Sequence, residues 1–169
     1  DAVKDHLPKF RHPDITVWNL MTHTSGLPSD VPGVLYNSVD ELIKHIQYVN
    51  LPHRPNSKIL YSDIGYILLG MVVEAVSGMT LDVFTKKYIF DPLEMVDTGY
   101  NPKDVKRCAP TEDRGDFIDR GYVHDEKAHT LGGVAGHAGL FSTVKDISHF
   151  LEMVLNDGVY KGKQILSKA

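Results

Sequence analysis

A phenol and a short polar pair, Tyr61-Ser62-Asp63, stand directly before the apolar stretch Ile64-Gly65-Tyr66-Ile67-Leu68-Leu69-Gly70-Met71-Val72-Val73. A tyrosine so placed can move protons if its pKa, near 10 when free, is pushed down. A nearby ammonium and the positive end of a helix would both favour the phenolate. The helix expected after Tyr61 supplies the second factor, and its immediate neighbours do not supply the first. On residue types alone the plainer reading is a tyrosine packing at a helix start, with Asp63 as a helix N-cap. Ser142-Thr143-Val144-Lys145 is a second candidate, because a serine hydroxyl three residues ahead of a lysine amine can form a nucleophile and base pair. The same residues also read as a cap, Thr143 with Asp146 three positions on.

Histidines offer further candidates. His124, Asp125, Glu126 and His129 suggest a metal at first sight, but a zinc site needs three or four convergent ligands, and the helical His-Glu-x-x-His pattern is absent. The expectation is a polar turn in which His124 and Asp125 tie down the loop, with a place on a cleft rim as the functional alternative. His23, in Thr22-His23-Thr24-Ser25-Gly26, is expected to be structural, satisfying buried backbone groups. Cys108 is the single cysteine, which excludes an internal disulfide and reads as a small apolar filler.

The elements that must position these residues are mostly helical. Residues 15 to 23 read as a short helix capped by Thr16, and 25 to 33 as a loop rich in turn residues. Ser38 with Glu41 opens a helix carrying Leu42, Ile43, Ile46 and Val49, ended by Pro52 and Pro55. Ile64, Ile67, Leu68, Met71, Val72, Ala75 and Val76 form a wide apolar face on the next helix, with Gly78 as its stop. Thr80 is expected to cap a helix through Tyr88. From about Gly99 to Gly133 neither period persists, and long loops with short strands are expected there; a stretch of this kind in a compact domain is usually functional. A last helix starts near Thr143, with Ile147, Phe150, Leu151, Val154 and Leu155 as its apolar stripe. At 169 residues and 42% hydrophobic content the chain can build one domain with a real core. A formal net charge of −4 argues against a nucleic-acid-binding surface. No apolar run approaches a membrane span and no signal peptide is visible. Starting at Asp1 without a methionine, the chain reads as an excerpt of a longer one.

These motifs resemble the serine β-lactamase-like, penicillin-recognising superfamily of class C β-lactamases, DD-peptidases and related esterases. Its three motifs run Ser-x-x-Lys, Tyr-x-Asn, then a Lys-Thr-Gly type triplet; Tyr61-Ser62-Asp63 is similar to the second, with Asp in place of Asn. Ile15 to Leu27, Ser77 to Asp82 and Phe90 to Met95 resemble further segments of the same group. Val123 to Ala128 and Leu131 to Thr143 resemble a narrower branch, the penicillin-binding proteins of the 4B type and modules fused to glycoside hydrolases. The resemblance implies that Tyr61 shuttles a proton to or from the nucleophile and leaving group, and that Asp63 helps to hold substrate. An ionised Asp63 accepts hydrogen bonds but cannot donate one, which weakens amide or β-lactam recognition more than proton transfer. Ser142 follows Tyr61, whereas the family's nucleophile precedes it, so Ser142 is set aside. His137-Ala138-Gly139 is likewise a poor third motif, since it leads into a helix, but its loop is expected to border the substrate cleft.

The expectation is therefore a mainly α fold with short β segments, the helical portion of the α/β serine β-lactamase and DD-peptidase architecture, with the main antiparallel sheet largely missing. One partial domain spans 1–169: a helical region 1–98, a loop-rich cleft segment 99–142 and a terminal helix region 143–169. The parent would be a serine hydrolase or acyltransferase working through an acyl-enzyme on a cell-wall peptide, a β-lactam or an ester, with no cofactor and no nucleic acid. Tyr61 would be catalytic, while Asp63, His137, Ala138 and Gly139 would line the substrate. The nucleophile, the third motif and the remainder of the domain would come from flanking sequence, so this chain alone is expected to be inactive. The resemblance favours an extracytoplasmic protein. A non-catalytic binding module that keeps the cleft, and a metal hydrolase using the His124 region, are the alternatives.

Overall fold

The computed structural model describes residues 1–30, 36, 38–113 and 115–168. Helices α1 (Val3–His6), α2 (Val17–Met21), α3 (Val39–Tyr48) and α4 (Asp63–Ser77) come first. Thr16 caps α2 reciprocally: its hydroxyl accepts from the Asn19 N–H at 3.2 Å, and the Asn19 side chain accepts from the Thr16 N–H at 3.0 Å. The helix stops at Met21, short of the expected residue 23, because His23 turns to φ +56°. Ser38 caps α3 by accepting from the Glu41 N–H at 3.2 Å. The loop expected over 25–33 is seen as far as Asp30; Val31, Pro32 and Gly33 lie outside the described residues.

Helix α4 is the axis of the fold. Ile64, Ile67, Leu68 and Val72 pack with Leu20, Leu27, Leu42, Ile46, Val3 and Phe10 into one buried cluster. Each large aliphatic so buried contributes about 1.5–3 kcal/mol. The helix ends at Gly78 in the left-handed region, whose N–H bonds to the Glu74 carbonyl.

Helix α5 (Leu81–Thr85) runs on as a π-helical turn over Lys86–Phe90, the pair lying at 75° to α4. The expected cap by Thr80 is not made. The Glu74 carboxylate takes the Leu81 N–H at 2.9 Å instead, reaching back across the turn. Strands β1 (Gly99–Tyr100), β2 (Pro110–Asp113), β3 (Ile118–Arg120), β4 (Leu140–Phe141), β5 (Val159–Tyr160) and β6 (Lys163–Gln164) form three antiparallel pairs, β1 with β4, β2 with β3 and β5 with β6. Between β3 and β4 stands α6 (Glu126–Thr130), where only a polar turn was expected; a 3-10 turn covers Val105–Arg107. The His137-Ala138-Gly139 triplet leads into β4 before the last helix, rather than straight into it.

That last helix, α7 (Val144–Leu155), is capped by Thr143, whose hydroxyl accepts from the Asp146 N–H at 3.2 Å. Its expected apolar stripe is largely uncovered: Leu151 and Val154 are each 53% exposed and Leu155 is 84% exposed. The helix is held instead through Met153, buried in a second cluster with Phe90, Leu93, Met95 and Tyr160. The buried Asp146 carboxylate adds a polar tie, accepting from the Asp97 N–H at 2.8 Å and the Thr98 hydroxyl at 2.7 Å.

The loop before β4 meets α4 backbone to backbone. A Cβ on Gly136 would fall onto the Tyr66 carbonyl oxygen and lie 3.0 Å from the Gly70 nitrogen. Both obstacles are helix backbone, which cannot swing aside. Gly136→Ala should therefore lower stability by about 1–3 kcal/mol, read as a fall in the urea midpoint at unchanged slope.

Candidate active site

Tyr61 is fixed by its chain neighbours and by the ring facing it rather than by burial, for its own side chain stays 63% exposed. Ser62, not Asp63, is the N-cap of α4: its hydroxyl accepts from the Gly65 N–H at 3.1 Å and donates to the Pro28 carbonyl at 2.7 Å. Asp63 takes the first helical position, its N–H bonded to the Ser29 carbonyl at 3.0 Å. Both residues type as caps; the loop Ser25–Asp30 lying alongside decides between them. His23 closes the other side. Its Nδ1 accepts from the Ser62 N–H at 3.1 Å, and its ring lies 4.8 Å from that of Tyr61 and 5.0 Å, stacked, from that of Tyr66. The expectation that His23 satisfies a backbone group is met through its ring nitrogen.

The electrostatics of Tyr61 run opposite to what a base requires. The Asp63 carboxylate, as acceptor and as charge, raises the phenol above 10.0, and slight burial, Tyr66 and Asp125 push the same way. Proximity to the helix end does not reverse this.

A second group of polar residues comes from α6 and the loop after it. Asp125 caps α6, accepting from the Ala128 N–H at 2.7 Å, and the same oxygen receives His137 Nε2 at 2.7 Å. An ionised carboxylate only accepts, so Nε2 carries the proton. The His137 side chain is 2% exposed, and its Nδ1 is buried without a hydrogen-bond partner among the described residues. Ala138 is half-buried and Gly139, at φ +105°, is buried against the Gly133 carbonyl. Lys127, which the sequence offered no reason to single out, is buried and pairs its ammonium with Asp30 at 2.5 Å. Its charge also acts on Asp125 and Asp63, which together with Asp30 raise its pKa against the opposing effect of burial. Asp30 lies in the loop that holds Ser62, so one ion pair joins the α6 wall to the Tyr61 turn.

The remaining candidates stand apart. The Ser142 hydroxyl is exposed and pairs with that of Thr98 at 2.7 Å. It lines a cavity of about 710 Å³ bounded by Tyr100, Arg107 and Leu140, among others, and containing neither Tyr61 nor Asp63. His124 is exposed, 4.0 Å from Glu112. Among the described residues no three His, Cys, Asp or Glu side chains converge as a metal set.

The Asp125–His137 contact sets a pH dependence. The hydrogen bond from His137, against the opposing effect of burial and helped by the Ala128 N–H, lowers the Asp125 carboxyl from 3.8 to about 2. The stabilisation is fully present above the unfolded value of about 3.9 and is lost as pH falls through the folded one. Asp125→Ala should cost about 2–3 kcal/mol at pH 7, from a lost cap and an orphaned buried imidazole. In urea titrations the gap between the two proteins should close between about pH 4 and pH 2.

The family profile described as Beta-lactamase matches residues 1–169. A Bacillus subtilis (strain 168) protein named N-acetylmuramyl-L-alanine amidase is 37% identical over 173 residues, 87% of this chain and 39% of that protein. An Escherichia coli (strain K12) protein, provisionally named a D-alanyl-D-alanine carboxypeptidase, is 36% identical over 179 residues, 90% of this chain and 41% of its own length. The chain thus spans about two fifths of these curated relatives. Among solved structures, a class C beta-lactamase from Rhodobacter sphaeroides superposes with a TM-score of 0.72 at 26% identity, over 95% of this chain and 45% of that one. The octameric penicillin-binding protein homologue from Pyrococcus abyssi shares the fold at a TM-score of 0.72 and 24% identity, over 99% of this chain and 40% of that one. With a profile match from the first residue to the last and relatives above one-third identity, the chain belongs to the beta-lactamase family.

Proposed function

We propose that these residues form the proton-transfer wall of a serine hydrolase or acyltransferase that cleaves amide or ester bonds. The observation that supports this reading is the Tyr61-Ser62-Asp63 turn, fixed at the N-terminus of α4 by His23, Pro28 and Ser29, in a chain of the beta-lactamase family. A serine hydroxyl supplied by sequence outside residues 1–169 attacks the carbonyl carbon, and its proton passes to Tyr61. Collapse of the tetrahedral intermediate expels the amine or alcohol, which leaves with that proton, and water then releases the acyl group. Because the described residues raise the phenol, the cation that lowers it would arrive with the nucleophile segment, as would the main sheet. Residues 1–98, 99–142 and 143–169 are then the helical, cleft and terminal-helix parts of one partial domain, inactive alone.

The substrate reading comes from the acceptor character of the site. Asp63 offers lone pairs only, which suits an N–H on the substrate better than a carbonyl. His137, Ala138 and Gly139 would form the facing wall. The relatives named as an amidase and a carboxypeptidase make a cell-wall peptide the leading substrate, with β-lactams and small esters as surrogates. Asp63 in place of Asn also supports a second reading, a binding module that keeps the cleft without the chemistry.

Intact mass after incubating the full-length protein with a penicillin and with p-nitrophenyl acetate tests this. One acyl adduct is expected, on a serine outside residues 1–169, and Tyr61→Phe should slow its formation by about 10²–10⁴-fold. An adduct that disappears in Ser142→Ala would overturn the assignment of the nucleophile. Saturable binding with no adduct would favour the binding module.

A further inference from the structure

We infer that His23 is the positioning residue for Tyr61, acting as a neutral imidazole protonated on Nε2; the inference rests on the proton-transfer role proposed for Tyr61. An amide N–H can only donate, so the Ser62 N–H bond at 3.1 Å requires an unprotonated Nδ1. The neutral ring then carries its proton on Nε2, and it lies tilted against the Tyr61 ring and stacked with that of Tyr66. The phenol ring of Tyr61 rests against one side of the imidazole, while the residue after it is pinned to the imidazole edge. The backbone takes part too, since the His23 carbonyl accepts the Leu60 N–H at 2.8 Å. One histidine thus holds residues 60, 61 and 62 in turn, and through Tyr66 it is keyed to α4 itself.

The conformation of His23 is itself costly. A histidine at φ +56° occupies the left-handed region, a strain that persists only where the surroundings over-determine it. Buried Asn19 supplies that determination. Its carbonyl accepts the Thr24 N–H at 2.9 Å, and its side-chain amide donates to the Thr24 hydroxyl at 3.0 Å and to the Asn56 side chain at 2.7 Å. Asn56 in turn donates its own N–H to the Thr24 carbonyl at 2.8 Å. Bracing the residue next to a strained histidine with this many bonds is more than the fold needs to end a five-residue helix. It is what a fixed imidazole needs.

The test is the single-turnover acylation of the full-length protein by p-nitrophenyl acetate. His23→Ala removes both the stack and the acceptor, and should lower the rate about 100-fold, the scale of a 1 Å misplacement, with the apparent Kd unchanged. His23→Asn keeps an acceptor where Nδ1 stood and tolerates positive φ, so it should recover to within about tenfold of the wild type. A wild-type rate in the alanine variant, or an asparagine variant no faster than alanine, would overturn the inference. If the alanine variant fails to fold, nitrogen-15 histidine spectra of the unmutated protein decide: a ring carrying its proton on Nδ1 at neutral pH refutes the Ser62 contact. Tyr61→Phe, run alongside, separates the two claims. Should it acylate like the wild type, the role given to Tyr61 fails, whatever His23 does.

Discussion

Where the loop before β4 crosses helix α4, the two backbones touch with nothing between them. Gly136 lies on the Tyr66 carbonyl and the Gly70 amide, so the loop sits as close to the helix axis as chain geometry permits. Everything the loop carries inherits that placement. His137 comes next in the chain, buried and bonded to Asp125; Asp125 begins α6, and α6 brings Lys127 to Asp30. Asp30 follows Pro28 and Ser29, whose carbonyls hold Ser62 and Asp63. The path leaves α4 at its second turn and returns to its first residue. A contact with no side chain in it thereby fixes the distance between the two walls of the site.

Within that frame the charges are arranged around acceptors. Asp30, Asp63 and Asp125 act on the buried ammonium of Lys127, and among the described residues Asp63, Tyr66 and Asp125 raise the Tyr61 phenol. A phenol in this setting keeps its proton and can donate it. Taking one requires a positive charge that these residues do not bring to it.

Much of this was legible from local rules, and the failures have a common cause. Thr16, Ser38, Gly78 and Thr143 end their helices as expected because capping depends on residues within four positions. Ser62 and Asp63 could not be told apart that way, since the carbonyl that accepts the Ser62 hydroxyl belongs to Pro28, far back in the chain. Thr80 lost its expected bond to a glutamate seven residues before Leu81. Lys127 lay in a segment read only as a polar turn, and the tertiary approach of Asp30 makes it a buried, paired ammonium. The stripe on α7 shows the reverse limit: periodicity reported an apolar face correctly but cannot say what covers it, and Met153 alone of that helix's large apolar residues is fully buried.

Two separate apolar clusters carry a last consequence. Tyr61, His23 and the loop through Gly136 are built on the first, whereas α7 and the β5–β6 hairpin belong to the second. The joints between them are the α4–α5 corner, where the Glu74 carboxylate takes the Leu81 N–H at 2.9 Å, the two-residue pairing of β1 with β4, and the Asn101 side chain donating to the Gly132 carbonyl at 2.8 Å. Opening free energy in such a molecule is unevenly distributed, with each cluster a cooperative unit of its own. Amides of the C-terminal unit can then exchange with solvent through fluctuations that leave the phenol and its imidazole in register.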